Sequence, residues 1–352
     1  MNIISIRRSS LINFNFLDMK VKTLFFSLLI LLTFCSNGQN LIARHSGGSV
    51  LFYTTPSAAV SAAVDGDTIY IPAGSYPAFT INESIVIYGV GYDIDSTQAT
   101  GRTYITGAVT VFGSNCRLEG LHLNGGLILG SDTDNTTIVR CNLTNTFTLG
   151  SSGAGTSAIN NIFETISGSG SQNNFFSNNI IYGQISNLDH SVILNNTSYY
   201  EGPIPITACE YTEISNNIFL NDSYSIPIMS NNEFTNNLFC NLVSANPCLS
   251  PFGDTNMCDD NIMAVDEFSL FVQYTEFLTH SNYYQNDLHA AVGSVIINAG
   301  SDGTDMGIYG GAFPWKDGGL PQNPHIFFKS IPSVSDNDGM LDVEIKVNAQ
   351  DN

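Results

Sequence analysis

Positive charge is what this chain lacks most. Eleven Lys and Arg stand against 31 Asp and Glu, a formal net charge of −20, and only 12% of residues are charged at all. Beyond Gln39 the basic residues are Arg44, Arg102, Arg117, Arg140, Lys316, Lys329 and Lys346. Such a surface repels nucleic acid and anionic membranes. It also repels a polyanionic glycan unless a cation bridges the two, and Ca2+ is the ion that would do so; no cofactor motif is evident. Metal spacing is missing as well: there is no CxxC or Cys/His cluster of the kind that binds zinc, and His45, His122, His190, His280, His289 and His325 are scattered. The main apolar stretch, Leu24 to Phe34, falls short of the ~20 residues that span a bilayer. Gly89-Val-Gly91 is a turn rather than a phosphate loop.

What is present is a repeated phrase. It reads Ala158-Ile-Asn-Asn-Ile-Phe163, Phe176-Ser-Asn-Asn-Ile-Ile181, Ile193-Leu-Asn-Asn-Thr-Ser198, Ile214-Ser-Asn-Asn-Ile-Phe219 and Phe234-Thr-Asn-Asn-Leu-Phe239. Looser copies are Arg117-Leu-Glu-Gly-Leu-His122 and Val139-Arg-Cys-Asn-Leu-Thr144. Register marks at 120, 142, 161, 179, 196, 217 and 237 step by roughly 17 to 22 residues, a solenoid period. Two apolar columns flank the mark. Column −3 holds Val139, Ala158, Phe176, Ile193, Ile214 and Phe234, and column +1 holds Leu121, Leu143, Ile162, Ile180, Thr197, Ile218 and Leu238. Both are expected to face one continuous core. The segments between turns are too short for helices, and the spaced Leu framework of leucine-rich repeats is absent. Asparagine tolerates left-handed corners, and its amide can stack in a ladder. Coils of parallel strands satisfy all of this.

Both ends have their own signals. Residues 1–38 read as an upstream extension plus a signal peptide starting at Met19, with Ser36 and Gly38 at the cleavage site; anchoring as a lipoprotein through Cys35 is the lesser alternative. The expectation is a chain that is secreted or held at the cell surface. Export permits disulfides among Cys116, Cys141, Cys209, Cys240, Cys248 and Cys258, and the spacing selects no pairing. Thr55 to Val64 reads as one short helix, with Thr55 as N-cap and Pro56 first, that caps the open end of the solenoid. After Phe239 the repeat breaks down around a short helix near Val265 to Phe271, and Leu341 to Asn348 alternates as a half-buried strand, paired with residues 325–334.

The run Asp65-Gly-Asp-Thr-Ile-Tyr-Ile-Pro-Ala-Gly-Ser-Tyr76, followed by Ile85-Val-Ile-Tyr-Gly-Val-Gly91, resembles the N-terminal cap and first coil of secreted bacterial right-handed parallel β-helix proteins of the pectin-lyase-like superfamily. Val295 to Gly311, with glycines 300, 303, 307, 310 and 311, is similar to the closing coil of such proteins. The resemblance implies an all-β fold: a right-handed single-stranded parallel β-helix with a short N-terminal capping helix and a C-terminal β-hairpin. On this reading residues 39–313 form the β-helix domain, and residues 314–352 are a linker and strand pair packing on it. It further implies an extracellular polysaccharide or cell-surface glycan as partner, and a monomer.

Chemistry is harder to find. Lyases of that superfamily use a basic residue and Ca2+, but Arg117 and Arg140 share no column and no Asp cluster accompanies them. Asp132 and Asp134 read as acidic turn residues, with a cation site as the lesser alternative, and Asp302 and Asp305 as part of the structural closing motif. Its hydrolases use carboxylates from neighbouring coils. Here Glu213 and Glu233 share column −4, which flanks an inward one, so both are expected to point outward ~4.8 Å apart as a candidate catalytic pair. Tyr182 and Tyr199 share column +3 and form a candidate sugar platform, or a packed pair. Three readings follow: a glycan-presenting or glycan-binding surface, a polysaccharide lyase or glycoside hydrolase, and a structural or adhesive surface protein.

Overall fold

Apolar triplets between asparagine or glycine corners stack coil on coil. In the computed structural model, which describes residues 41–200, 205–220, 229–240, 248, 255–275, 286–336 and 338–348, they build a parallel β-solenoid of about 9 turns. The expected signal peptide and Cys35 lie outside the described residues. One sheet of 12 strands carries the triplet before each corner, from Thr68–Tyr70 through Arg117–Glu119 to Met257–Asp259. A 15-stranded sheet takes the strands after the corner and branches onto the third side of the coil, where Val109–Val111 pairs with Leu127–Leu129. The fold class is as the repeats imply.

The middle residue of each triplet points inward, because side chains alternate along a strand. Ile69, Ile87, Leu118, Ile138, Ala158, Phe176, Ile193, Ile214 and Phe234 are all fully buried there. Strand pairing corrects the register of the two loose repeats, since Ile138, not Val139, lies beside Ala158. The corner then runs Gly120, Arg140, Asn160, Asn178, Asn195, Asn216, Asn236 and Asp260, every one with a left-handed φ between 49° and 70°.

The two asparagines of the phrase divide the work. The second forms a buried ladder: the amides of Asn161, Asn179, Asn196, Asn217 and Asn237 each donate to the next carbonyl oxygen, at 2.9–3.1 Å, ending on Asn261. The same oxygens accept the backbone N–H of the preceding coil's residue, starting from Cys141 at 2.9 Å. The other amide hydrogen bonds a strand carbonyl, as from Asn179 to Ala158 at 2.9 Å, so each side chain is saturated. A second, shorter ladder links Asn232 to Asn256 on the far side of the coil.

The first asparagine faces outward and holds the C-terminal strap, residues 296–322. Asn216 binds Ser301 in both directions, Asn195 donates to the carbonyls of Asp305 and Gly307, Asn178 to those of Ile308 and Gly310, and Asn160 to that of Phe313. The strap thus runs backward along the solenoid. It does not close the coil as its sequence suggested; among the described residues it adds no strand to either large sheet. Gly310 lies so close to the Asp305 carbonyl that a Cβ would overlap it.

This strap explains a second correction. Where the Asn pair is intact column +1 does not face the interior, although Leu121 and Leu143 of the two misregistered repeats do. Ile162, Ile180, Ile218 and Leu238 point outward and meet Leu288, Ile296, Met306, Ile308 and Trp315 in a separate outer core. The interior is lined instead by the next residues along, Phe163, Ile181, Phe219 and Phe239. The solenoid also continues past Phe239: Met257–Asp259 and Ile262–Val265 form one more coil, hidden from sequence by the longer excursion before it.

At the N-terminal end the helix spans Pro56–Ser61, shorter than expected, with Thr55 Oγ1 accepting the Ala58 N–H at 3.2 Å. Asp67 ends the segment by accepting the Val64 N–H at 3.0 Å and pairs with Arg44 at 3.5 Å. An antiparallel pair, Ile42–Ser46 and Ser49–Tyr53, covers the edge of the first coil beside the helix. The C-terminal hairpin forms between His325–Ser330 and Glu344–Asn348, but all of Glu344–Asn348 is exposed rather than half-buried. Cys248 and Cys258 form a disulfide. Cys116, Cys141, Cys209 and Cys240 are buried, and burial pushes the thiols of Cys141 and Cys209 up to about 12.

Candidate functional site

The outer core opens into a cavity of about 320 Å³ between the strap and the loop that follows Gly91. One wall is the strand Asp287–Ala290, paired antiparallel with Phe271–Gln273. Alternation sends Leu288 into the outer core and puts Asp287 and His289 together on the cavity face. His289 Nδ1 lies 2.7 Å from Asp287 Oδ1, which also accepts the His289 backbone N–H at 3.1 Å. That hydrogen bond holds the Asp287 carboxyl below its ordinary value.

The opposite wall comes from the strap. Tyr309 stacks on the His289 ring with centroids 4.0 Å apart, and its hydroxyl donates to Asp317 Oδ1 at 2.8 Å. Burial and the Asp317 carboxylate push the Tyr309 hydroxyl upward, so it keeps its proton and remains a donor. Asp317 Oδ2 lies 3.9 Å from His289 Nε2. The imidazole therefore sits between two carboxylates, oriented at one nitrogen and facing the cavity with the other. Trp315, the only tryptophan of the chain, is buried in the same wall, and its backbone N–H closes the turn by donating to the Ile308 carbonyl at 2.7 Å.

Asp93 and Asp95 face this wall from the loop, so the lining holds four aspartates and no Lys or Arg. Aromatic faces beside hydrogen-bonding carboxylates suit an uncharged polyhydroxyl ligand: C–H groups lie on the rings while hydroxyls donate to the acids. The volume suits a unit of one or two sugars. An Asp-oriented imidazole has the geometry of a proton acceptor, and the Ser96 hydroxyl lines the same cavity.

The residues singled out from sequence lie elsewhere. Glu213 and Glu233 are direct neighbours on adjacent parallel strands, and both are exposed on the outer face of the 12-stranded sheet. Ser215 donates to Glu213 at 3.1 Å. Neither glutamate lines the cavity beneath the strap. Tyr182 and Tyr199 stack at 5.1 Å with planes 13° apart, packed in the outer core beneath the strap, where Asn286 donates to the Tyr199 hydroxyl at 3.2 Å. Asp134 ties its coil to the next by accepting the Ala154 N–H at 2.8 Å, and Asp302 holds a turn by accepting the Thr304 N–H at 3.0 Å. Arg117 and Arg140, in different columns, are brought together in a second cavity on the other side of the strap.

Among the described residues no three His, Cys, Asp or Glu side chains are grouped to hold a metal ion, and no helix is long and apolar enough to cross a membrane. The signal for the cleft was the spacing Asp287-Leu-His289, whose i, i+2 relation on a strand is readable once the strand is known; its partners Tyr309, Trp315 and Asp317 carry no periodic signal. No protein-family model matches this chain, and no curated protein matches it either.

Proposed function

We propose that the protein is an exported glycan-binding β-helix, related to the pectin-lyase-like superfamily, that takes an uncharged sugar unit in the cleft between Asp287–Ala290 and the strap. The observation that carries this reading is the cleft's make-up: Trp315 and the Tyr309–His289 stack beside four aspartates, with no basic side chain. The acidic lining favours neutral or amino sugars over uronates. Trp315 reports on the site directly, because no other tryptophan contributes to the emission. Titration of neutral, amino and acidic oligosaccharides, with and without Ca2+, is expected to change Trp315 fluorescence saturably for a neutral or amino glycan. Asp287→Asn with His289→Ala should abolish the change. A panel with no saturable response removes the reading and leaves the structural or adhesive one.

A second reading, glycoside hydrolysis, draws support from the direct pairing of Glu213 with Glu233 one coil apart. Carboxylates ~5–5.5 Å apart suit a retaining mechanism. Turnover of any glycan by the wild type that Glu213→Gln abolishes supports it. Equal turnover by that variant dismisses the pair.

A further inference from the structure

The strap leaves one corner differently served. Asn160, Asn178, Asn195 and Asn216 each use a left-handed corner to hold strap backbone, and the next corner toward the N-terminus is Arg140, at φ 49°. A left-handed backbone suits asparagine and strains arginine. Beyond Asn160, which accepts the Lys316 N–H at 3.2 Å, the strap's next hydrogen bond to a coil in this region is from the Gln322 N–H to Glu119 Oε1, at 2.6 Å. Between those two anchors is a cavity of about 540 Å³.

Three of the chain's few cations meet there: Arg117, Arg140 and Lys316. One fully buried carboxylate answers them. Glu119 takes Nε and Nη2 of Arg117 at 3.0 and 2.6 Å, and the Arg140 Nη1 is 3.6 Å away, beyond hydrogen-bond reach. Arg140 is 6% exposed, and its Nε and Nη1 make no hydrogen bond with the protein. Lys316 forms no ion pair among the described residues. A guanidinium desolvated to this degree with unpaired donors is costly to keep, and burial accordingly weakens its hold on the proton. If Arg140 served only as a structural partner of Glu119, it would close on that carboxylate as Arg117 does.

We propose that this pocket binds a tetrahedral oxyanion, phosphate or sulfate, through Arg140 and Lys316, with Arg117 and Glu119 fixing the floor. Three cations against one carboxylate leave an excess of two positive charges, which matches a doubly charged oxyanion better than a single carboxylate. Phe313 and Pro314 at the exposed rim offer an apolar face to whatever carries the anion. The proposal is independent of the neutral-sugar cleft, which lies on the opposite side of the strap: Trp315 lines one cavity and its neighbour Lys316 the other.

The test is calorimetric titration of the full chain at fixed ionic strength with sodium phosphate, sodium sulfate, glucose 6-phosphate and galacturonate, against chloride. Saturable binding of phosphate or sulfate is expected. Tighter binding of glucose 6-phosphate than of phosphate assigns the anion to a sugar, and equal binding assigns it to the free ion. Lys316→Glu, at a half-buried strap position, should weaken binding by at least about tenfold, the equivalent of ~1.4 kcal/mol. Arg140→Gln should abolish it, with circular dichroism confirming the fold, and His289→Ala should leave it intact. No saturable oxyanion binding, galacturonate bound as tightly as phosphate, or undiminished binding by Lys316→Glu would each overturn the proposal.

Discussion

Inside the coil, apolar side chains stack column by column: Ile193 lies beside Ile214 on the next coil, and Phe219 stacks on Phe239 at 5.0 Å. Beneath the strap only one side repeats. There Ile180, Tyr199 and Leu238, contributed coil by coil, meet Leu270, Leu288, Met306 and Trp315, which arrive from a single later segment. The inner core is a property of the repeat, each coil contributing a side chain to each inward column. The outer core is a property of the strap, and both cavities described above are bordered by it. Periodic packing makes the scaffold, and the aperiodic segment laid over it makes the sites.

The sharpest way to break this contrast is to empty each core in turn. Phe176→Ala in the interior should cost ~3–5 kcal/mol, read as a lowered urea midpoint. Trp315→Ala should leave the far-ultraviolet transition nearer to wild type while abolishing sugar binding. Equal losses of stability would show that the two cores unfold as one unit.

The paired asparagines allow a finer cut at one corner. Asn179→Ala strands its ladder partners, the Asn161 amide and backbone N–H and the Asn196 carbonyl environment, and should cost ~1–3 kcal/mol per unsatisfied buried group. Asn178→Gly keeps the left-handed corner and removes the bonds to Ile308 and Gly310 and the one accepted from the Ser177 hydroxyl, so a loss of ~1 kcal/mol per bond is expected. Hydrogen exchange should accelerate along the strap in the second variant and around the coil in the first.

The smallest expected effect is on acid titration. The contact with His289 depresses Asp287, so its contribution is present above the ordinary carboxyl value of ~3.9 and disappears as pH falls through the lower folded value. Carboxyl nuclear magnetic resonance should find Asp287 titrating nearer the ordinary value in His289→Ala. An unchanged midpoint would separate the two residues.

The scaffold was legible because a solenoid writes each coil's demands again in the next. Where the Asn pair is intact, from Asn160 to Asn237, register and inward column follow directly. The two N-terminal repeats were misaligned because Leu121 and Cys141 stand where later coils have the ladder asparagine, so no residue marks the corner chemically. That slip also hid Arg140, which is conspicuous only when seen at a position otherwise held by asparagine. Column +1 looked like interior because an apolar residue carries no label for the core it enters. The cleft was least legible of all: Asp317 and His289 are distant in sequence and joined only by the path of the strap.

That path bears on how the molecule comes apart. Coils that touch only their neighbours lose structure from the ends inward, one after another. A strap tied at Asn216, Asn195, Asn178, Asn160 and Glu119 couples coils that never meet. Fraying must then either stop at the tied coils or release the strap with them. Because the strap is synthesised after the coils it binds, the chain can wind freely first and be locked afterwards, like a spring fastened along its side.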